Sequence, residues 1–356
     1  MRKIAVLCNY RLMPERVGGM DHFFWLFDAQ CKAAGYTVHW FFPNVSTHQG
    51  YAKLDLHSCQ DGNVEMYFLE HFAKNEYTHI FTHFIELSTR FFKLFKANYT
   101  AKVMVVDHNP RPIEGYSIKK RLEKRLKGLL YARYIDVFIG VSEFSRHQMI
   151  NELGRSIAAR TQVIFNGLET EKFIKRTKVN FRGSFIVAAH LRKDKGIQDL
   201  IEAVRILVHQ MPSATFSITI YGEGYYGARL KEMVQSYNLE SFIQFKGSVS
   251  NLNELYQDYD YLIHPSHGET FCYSVVEALL CRLPVITTRH QGNVLGMVKE
   301  SVNGYLFEEG NVAQLTAILA TIIQKKHSID NSVQYNAEIE KLTLDQMVQN
   351  YFHLIQ

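Results

Sequence analysis

Two glutamates, Glu269 and Glu277, stand eight residues apart within YLIHPSHGETFCYSVVEALLCRLPVITT, residues 261–288. The pattern predicts a strand ending at His264, a loop with Glu269, a helix with Glu277 and a further strand. Free N–H groups and the dipole at such a helix start favour an anion such as a phosphate. Carboxylates on the loop and on the helix can accept hydrogen bonds from sugar and ribose hydroxyls. The stretch therefore indicates a site for a phosphate-linked sugar, against the alternative of two unrelated surface glutamates.

The elements that must position these residues recur along the whole chain. In the first half, apolar runs predict a helix at 21–35 and strands at 4–9, 37–42, 80–83, 102–107, 138–141 and 162–165. After a polar, basic stretch, a second cycle alternates helices with strands at 184–189, 217–222, 243–246, 261–264 and 284–287. Such alternation predicts an α/β fold with two Rossmann-like parallel sheets, each covered by helices on both faces. Ligands of these sheets bind at the carboxyl ends of the strands, so we expect the site in a cleft between facing domains.

The change in pattern near Asn166 sets the domain boundaries. We expect an N-terminal domain at 1–168, a linker at 169–182, a C-terminal domain at 183–340 and a last helix at 341–356. That helix is amphipathic, with an apolar stripe expected to pack back on the N-terminal domain and formed by Leu344, Met347, Val348, Tyr351 and Phe352. Asn303 and Gly304 predict a turn between later elements.

Composition excludes several classes of protein. The chain has 356 residues, of which 47% are hydrophobic, so it can form two cores and is not a disordered protein. Its five cysteines are scattered and never spaced C-x-x-C, which argues against a disulfide framework or a zinc site. The first apolar run is too short for a signal peptide, and no stretch is long enough to cross a bilayer. We therefore expect a cytoplasmic protein.

The residues around the two glutamates carry a resemblance to a known family. The runs P-S-x-x-E-T-F and E-A-L-x-x-x-x-P-V-I resemble the E-x7-E segment of the retaining GT-B glycosyltransferases of family 4, or glycosyl transferases group 1. Further segments match in the family's order, so the resemblance covers nearly the whole chain. It implies a GT-B fold, with an N-terminal acceptor domain and a C-terminal donor domain. It also implies transfer of a hexose-type sugar, with retention, from a nucleotide sugar to a glycan or lipid-linked acceptor in cell-surface polysaccharide or lipopolysaccharide-type biosynthesis.

The resemblance also implies donor-binding residues. In HLRKDKGIQDLIEA, residues 190–203, Lys195 falls on the family lysine that neutralises the donor diphosphate. His190 occupies the position of the family's arginine, so either a protonated His190 or a reaching Arg192 must supply the second positive charge. Glu269 would hold the donor sugar. The other implied donor ligands are Thr270, Phe271, Cys272 and Glu277, together with the backbone of Gly247, Ser248 and Val249, which would contact the base.

On the acceptor side, Gly18-Gly19-Met20-Asp21 resembles the family's G-G-x-E turn, with Asp21 in place of the glutamate. Such glycines let a backbone approach a phosphate or an acceptor closely, although an ordinary tight turn uses them too. His108 falls on a family histidine that lies near the transferred sugar, whereas many histidines are structural. The implied catalytic residues are therefore His108, Glu269 and Lys195.

A basic stretch at 118–130 combines six positive side chains with a single acidic one, Glu123, which leaves +5, equal to the formal charge of the whole chain. The positive residues are Lys119, Lys120, Arg121, Lys124, Arg125 and Lys127. Leu122, Leu126, Leu129 and Leu130 recur at helical spacing, so one reading is a solvated helix that its leucines pack onto the first domain. The other reading is contact with an anionic membrane surface, which fits a lipid-linked acceptor and a peripheral location on the cytoplasmic face. No nucleic-acid module accompanies the charge, so we expect no nucleic-acid partner.

No cofactor is expected beyond the donor, which could be linked to UDP, GDP or dTDP. Asp258 and Asp260 form a D-x-D that metal-dependent transferases of another fold use, but Asp260 is better explained as a strand-entry residue, so no metal is expected. Two alternatives remain open: a non-catalytic nucleotide-sugar-binding subunit, which His190 suggests, and a GT-B epimerase or phosphorylase. A dehydrogenase is disfavoured because Gly18-Gly19 lacks a full G-x-G-x-x-G.

Overall fold

A computed structural model describes residues 2–14, 17–72, 76–112, 114–177, 180–326, 329 and 337–356. The chain divides into two compact units. Unit 1 comprises Met1–Leu168 together with Leu342–Gln356, and unit 2 comprises Glu169–Lys341. Each unit contains one parallel sheet with helices, so the expected pair of Rossmann-like α/β domains is confirmed.

The sheet of unit 1 has seven strands in the order β3-β2-β1-β4-β5-β6-β7. They are β1 (Arg2–Cys8), β2 (Tyr36–Phe42), β3 (Asp55–Ser58), β4 (His79–His83), β5 (Lys102–Asp107), β6 (Val137–Gly140) and β7 (Thr161–Val163). Its first helices are α1 (Gly19–Ala33), α2 (Val64–Phe72), α3 (Arg90–Asn98), α4 (Ile118–Tyr131) and α5 (Glu143–Leu153). The central strands are buried on both faces, which explains their continuous apolar runs. The short edge strand β3 was missed because DLHS has no apolar run.

The sheet of unit 2 has six strands in the order β10-β9-β8-β11-β12-β13. They are β8 (Ser184–Ala188), β9 (Ser217–Tyr221), β10 (Ile243–Gly247), β11 (Tyr261–His264), β12 (Val285–Thr288) and β13 (Gly304–Phe307). The helices are α6 (Ile197–Gln210), α7 (Gly227–Ser236), α8 (Leu252–Leu255), α9 (Tyr273–Leu280), α10 (Gln291–Val294), α11 (Val312–Lys325) and α12 (Ala337–Glu340). The core lies where α6 and α11 pack on the sheet, with Leu200, Val204 and Leu319 almost fully buried. The turn expected at Asn303 and Gly304 is only half right, because Gly304 begins β13 and pairs with Val285.

The last helix, α13 (Leu344–His353), belongs to unit 1. All five apolar residues of its stripe are buried. The Tyr351 ring packs 4.8 Å from the ring of Phe23 on α1, and the Tyr36 hydroxyl donates to the carbonyl of Ile355 over 2.9 Å. The apolar stripe therefore docks α13 beside α1.

The segment 169–182 packs along unit 2 at its described residues, whereas residues 178 and 179 of this expected linker lie outside them. The Arg176 amide donates to the Cys281 carbonyl over 2.8 Å. Asp260 accepts hydrogen bonds from the Arg182 and Ser184 amides at 2.9 Å each, so it has the expected role at the entry of β11. Across the described parts of the chain, none of the helices has both the length and the apolarity to cross a bilayer.

Candidate active site

The strand order of unit 2 defines where its ligand site should lie. From the central strand β8 the chain continues to β9 on one side, and it later places β11 on the other side. In an open parallel sheet, ligands bind outside the carboxyl ends of the two strands where the order reverses. Here those ends lead into the loop with Lys195 and into the loop with Glu269.

Two glycines allow the loops at this switch point to approach each other. Gly196 has a φ of 66°, and a Cβ there would lie 2.0 Å from the carbonyl oxygen of Pro265. A Cβ on Gly292 would lie 1.7 Å from the carbonyl oxygen of Glu269. Any larger residue at either position would push backbone away from backbone. The loops after β8, β11 and β12 are thus held together around Glu269.

Lys195 and Glu269 form an ion pair at the centre of this arrangement. The Lys195 ammonium donates to Glu269 Oε1, and both side chains are largely buried. The Ser266 hydroxyl lies 3.3 Å from the same oxygen, and His264 Nε2 lies 3.5 Å from it. Burial by itself raises the pKa of Glu269, but the His264 hydrogen bond and the Lys195 charge outweigh it and lower the pKa to about 2. Glu269 is therefore a carboxylate throughout the neutral range.

His264, Glu269 and Cys272 also form the one described group whose ligating atoms lie close enough for a metal ion, within 4.8 Å of one another. The Cys272 sulfur lies 3.2 Å from His264 Nε2. However, the ammonium of Lys195 is bonded to the same carboxylate, and its charge opposes a divalent cation at this place. Burial also raises the pKa of the Cys272 thiol well above its usual value, which disfavours the thiolate that a metal needs. The cluster fits a carboxylate held for a ligand better than a metal centre.

Glu277 lies one turn into α9, the helix that follows the Glu269 loop. Its Oε2 accepts a hydrogen bond from the Tyr256 hydroxyl at 2.8 Å. Burial raises the pKa of Glu277, and the bond from Tyr256 opposes that shift. The Ser274 hydroxyl donates to the Ala188 carbonyl over 2.6 Å, which ties the start of α9 to the end of β8. The first N–H groups of α9 therefore lie at the switch point.

The other residues expected to bind the donor occupy varied positions. Thr270, Phe271 and Cys272 are buried before α9, and His190 is exposed after β8. Arg192 is paired with Asp194 at 2.9 Å. Gly247 ends β10 at the same carboxyl edge of the sheet, and residues 248 and 249 follow it. The Gly247 carbonyl accepts from the Gly222 amide at 2.8 Å. The structure therefore brings Lys195, Glu269 and the start of α9 together, while His190 stays at the surface.

In unit 1 the strand order reverses between β1 and β4. The loop after β1 leads to Gly18, the residue before α1, and to Gly19, its first residue. Asp21 is fully buried, and its Oδ2 accepts from the Gly18 amide at 2.9 Å and from the Tyr10 hydroxyl at 3.1 Å. Its Oδ1 accepts from the Tyr51 hydroxyl. Asp21 therefore holds the glycine turn in place, and its carboxylate is already used by the protein.

His108 follows β5, next to the end of β4. Its Nε2 lies 3.0 Å from Nδ1 of His83, and its ring stacks on Phe84 with 4.3 Å between centroids. Burial lowers the pKa of His108 to about 3, and burial together with His108 lowers the pKa of His83. Both imidazoles are therefore neutral near pH 7, and each neutral ring has one donor and one acceptor nitrogen.

A cavity of about 300 Å³ opens in unit 1, with Asp107 and Asn109 in its wall, whereas His108 between them is not one of its lining residues. Arg111 donates to Glu152 over 2.7 Å, and it also lies 2.7 Å from Asp107. The cavity is further lined by Phe84, Glu86, Leu87, Ser88, Tyr116, Lys120, Lys124, Lys127 and Leu153. Sequence reasoning missed this cavity. Arg111 lies just beyond the end of a strand, and this position could have indicated it as a site residue. Glu152 lies on a helix that is distant in sequence, and no local pattern marks it as part of the cavity.

Sequence comparison finds a family match within unit 2. Residues 169–339 match the sequence model of the family described as "Glycosyl transferases group 1". The matched region contains Lys195, Glu269 and Glu277, so the residues expected to bind the donor lie in the part of the chain that is similar to this family. The resemblance noted in the sequence is therefore confirmed at the level of group 1.

Curated relatives match over parts of their length. The GtfA subunit of a UDP-N-acetylglucosamine–peptide N-acetylglucosaminyltransferase from Streptococcus pneumoniae is 32% identical over 123 residues, which are 35% of this chain and 24% of that protein. An uncharacterized glycosyltransferase of Methanocaldococcus jannaschii is 28% identical over 211 residues, 58% of this chain and 56% of that protein. The amylovoran biosynthesis glycosyltransferase AmsK of Erwinia amylovora is 28% identical over 199 residues, which are 53% of this chain and 48% of that protein. The chain thus spans between about a quarter and somewhat over half of these relatives.

Solved structures match over the full chain. HepE from Anabaena, in complex with UDP and glucose, has a TM-score of 0.74 at 18% identity and covers 100% of this chain and 99% of that one. The apo lipopolysaccharide outer core galactosyltransferase WaaB has a TM-score of 0.74 at 15% identity, with 99% of each chain covered. At these identities the likeness establishes the fold, and the expected GT-B class is confirmed.

Proposed function

We propose that this protein transfers a hexose-type sugar, with retention, from a nucleotide sugar to a glycan or lipid-linked saccharide acceptor. The proposal extends to cell-surface polysaccharide or lipopolysaccharide-type biosynthesis. The observation that carries it is the buried Lys195–Glu269 ion pair at the switch point of a glycosyl transferases group 1 domain. Relatives named for amylovoran biosynthesis and for a lipopolysaccharide galactosyltransferase support the acceptor class.

The donor would lie across the carboxyl edge of unit 2. An ammonium has three N–H donors, so Lys195 can keep its bond to Glu269 and still bind a diphosphate. The first N–H groups of α9 would bind the same phosphates, with Glu277 as acceptor for the ribose hydroxyls. Glu269, ionised at neutral pH, would accept from hydroxyls of the donor sugar. The structure of HepE with UDP and glucose supports this class of ligand.

Charge develops on the diphosphate as the bond between the anomeric carbon and the phosphate oxygen breaks. Lys195 stabilises this charge more in the transition state than in the ground state, which accelerates the transfer. With retention, the acceptor oxygen forms the new bond on the face that the phosphate leaves. The acceptor proton passes to the departing phosphate oxygen, so the products are a nucleoside diphosphate and the glycoside. The nearby helix start and Lys195 supply the positive charge, and the proposal needs no metal.

The acceptor would lie in the cavity beside His108 in unit 1. Its wall offers hydrogen-bond donors and acceptors from Arg111, Asp107 and Asn109, and the aromatic ring of Tyr116. A saccharide needs this mixture, because its hydroxyls both donate and accept. His108 lies between two residues of this wall, and we propose that its neutral imidazole contacts a hydroxyl of the sugar at the edge of the cavity. We propose that the turn at Gly18 and Gly19 also contacts the acceptor.

A lipid-linked acceptor would bring the protein to the cytoplasmic face of a membrane. The basic stretch 118–130 is the surface to which we assign contact with anionic headgroups. No nucleic-acid partner is proposed.

Thermal-shift screening against UDP-, GDP- and dTDP-sugars tests donor binding first, because a ligand of the native state raises the unfolding temperature. The expected result is a shift with one nucleotide series, followed by acceptor-dependent release of that nucleoside diphosphate in buffer with and without a chelator. No shift with any donor would contradict the proposal. Release that stops in the chelator would overturn the metal-free part alone.

The position of His190 favours one alternative, a non-catalytic subunit that binds nucleotide sugars. His190 is exposed where the family has arginine, and Arg192 is paired with Asp194. Such a subunit would give the thermal shift without release of nucleoside diphosphate over a panel of acceptors. A GT-B epimerase or phosphorylase would convert the donor without an acceptor saccharide or with inorganic phosphate.

A further inference from the structure

Helix α4 turns its apolar side to solvent. Ile118, Leu122, Leu126 and Leu129 expose between 55% and 76% of their surface, and Leu130 exposes 42%. At about 100° per residue these five positions form one stripe along the helix. They are five of the twelve large apolar side chains that are exposed within the described ranges. Of the two interpretations of this stretch, the one in which the leucines pack α4 onto unit 1 is therefore wrong.

The contacts of α4 explain this orientation. Gly128 is buried against α5, where a Cβ would lie 2.2 Å from the carbonyl oxygen of Leu153, so the helix backbone itself makes the close contact. Lys124 bonds to Glu152 over 2.9 Å, and Lys127 bonds to Glu86 over 2.7 Å. The polar side of α4 is thus satisfied by acidic partners of the protein. The leucines necessarily lie on the opposite side.

Positive charge borders the apolar stripe on both sides. Lys119 lies along one edge, Arg121 and Arg125 lie along the other, and all three are exposed. A helix with an apolar face bordered by lysine and arginine is the pattern of helices that lie in the plane of a membrane interface. Two copies of this face would bring the same basic residues together, so the charge disfavours self-association.

We propose that the stripe Ile118, Leu122, Leu126, Leu129 and Leu130 inserts into the interface of an anionic membrane, with Lys119, Arg121 and Arg125 at the headgroups. The inference deepens the proposed function, on which it rests for the lipid-linked acceptor. It adds that the contact is apolar as well as electrostatic. The inner side of the same helix lines the cavity that we assign to the acceptor saccharide.

Sedimentation with vesicles tests the proposal without donor or acceptor. The wild-type protein should bind vesicles of phosphatidylglycerol and phosphatidylcholine, and should bind pure phosphatidylcholine at least tenfold more weakly. The variant L122Q/L126Q/L129Q should lose at least tenfold in binding to the anionic vesicles. The variant K119Q/R121Q/R125Q should lose about fivefold for each charge. Exposed leucines contribute little to the core, so both variants should keep the wild-type unfolding temperature.

The matched control replaces three exposed apolar residues on other helices of unit 1, as L26Q/M66Q/L94Q, and should bind like the wild type. Equal binding of the wild type and L122Q/L126Q/L129Q, or no binding of the wild type to anionic vesicles, would overturn the proposal. So would a wild-type dimer in sedimentation velocity that the leucine variant abolishes. Release of nucleoside diphosphate without vesicles, measured on the same preparations, separates a failure of membrane binding from a failure of the proposed transferase.

Discussion

The two units use the same sheet architecture but place different electrostatics at the carboxyl ends of their strands. In unit 2 the loops after β8 and β11 bring a buried ammonium against a buried carboxylate, Lys195 and Glu269. In unit 1 the ends of β4 and β5 bring together two imidazoles that burial keeps neutral, His83 and His108. The first pair consists of two full charges and the second of two neutral imidazoles.

The difference matches what each unit is proposed to bind. A diphosphate carries charge that grows during transfer, so it needs fixed positive charge nearby. A saccharide hydroxyl is neutral and gains more from groups that can both donate and accept. The charges of the unit 1 cavity, such as Arg111 with Glu152, are already paired within the protein. The comparison predicts that removing charge harms unit 2 far more than unit 1.

The largest effect is expected from removal of the unit 2 cation. Lys195→Ala should lower the rate of nucleoside diphosphate release by about 100–1000-fold, the usual range for losing one preorganised group that stabilises developing charge. Steady-state kinetics on donor and acceptor measures it. Lys193→Ala, two residues earlier and exposed, is the matched control and should be within twofold of wild type. Equal rates for Lys195→Ala and Lys193→Ala would contradict the proposed role of the unit 2 cation.

The next effect concerns donor affinity. Glu277→Ala should weaken nucleotide binding by about 10–100-fold, because the proposed acceptor of two ribose hydroxyls is lost. Tyr256→Phe removes only the hydroxyl that bonds to Glu277 and should cost about fivefold, in line with one neutral hydrogen bond. Calorimetric titration with the nucleotide that the thermal screen selects gives both values. A loss with Tyr256→Phe as large as that with Glu277→Ala would show that Glu277 acts on the fold instead.

A smaller effect should decide which basic group replaces the family's arginine. Arg192 is held by Asp194 at 2.9 Å, so its recruitment requires that this pair opens. If Arg192 reaches the diphosphate, Arg192→Ala should weaken donor binding about tenfold, while His190→Ala changes it less than twofold. Titration at pH 6 and pH 8 checks the alternative that a protonated His190 binds the diphosphate. In that case donor affinity should fall with rising pH in the wild type and stay constant in His190→Ala.

Much of unit 2 could be predicted from the sequence because its signals are local. The apolar strand at 261–264, the loop with Glu269 and the helix with Glu277 follow one another within 28 residues. Lys195 required the resemblance, because it lies 74 residues away from Glu269 and only the sheet topology brings them together. The contacts of His264 and Tyr256 with the two glutamates leave no trace in local spacing.

The orientation of α4 could not be predicted for a related reason. Helical spacing shows that one side is apolar, and the usual inference is that this side is buried. Here Glu152 and Glu86, which are distant in sequence, pair with the lysines, and Gly128 removes the side chain that would keep α5 away. Periodicity identifies the faces of a helix, but partners elsewhere in the chain decide which face turns inward.

The smallest expected effect is on the pH dependence of stability, and it distinguishes the two sites again. Because the pKa of His108 is lowered to about 3, the unfolded chain takes up its proton first as the pH falls. The stabilising contribution of the neutral ring is therefore complete above about pH 6.5 and is lost as the pH falls from there towards 3. The pKa of Glu269 is lowered to about 2, so its contribution is lost only between about pH 4.3 and 2.

Between pH 7 and pH 5 the loss should thus come from histidines whose pKa is lowered by desolvation, such as His108, His83 and His79, and not from Glu269. Thermal unfolding of the wild type should show a midpoint that falls over this interval, by roughly 2–4 °C for each such histidine. His108→Gln should make the fall smaller, whereas His71→Gln, at an exposed position, should leave it unchanged. An unchanged slope in His108→Gln would mean that this imidazole is accessible to protons, and the contrast between the charged pair of unit 2 and the neutral pair of unit 1 would then fail.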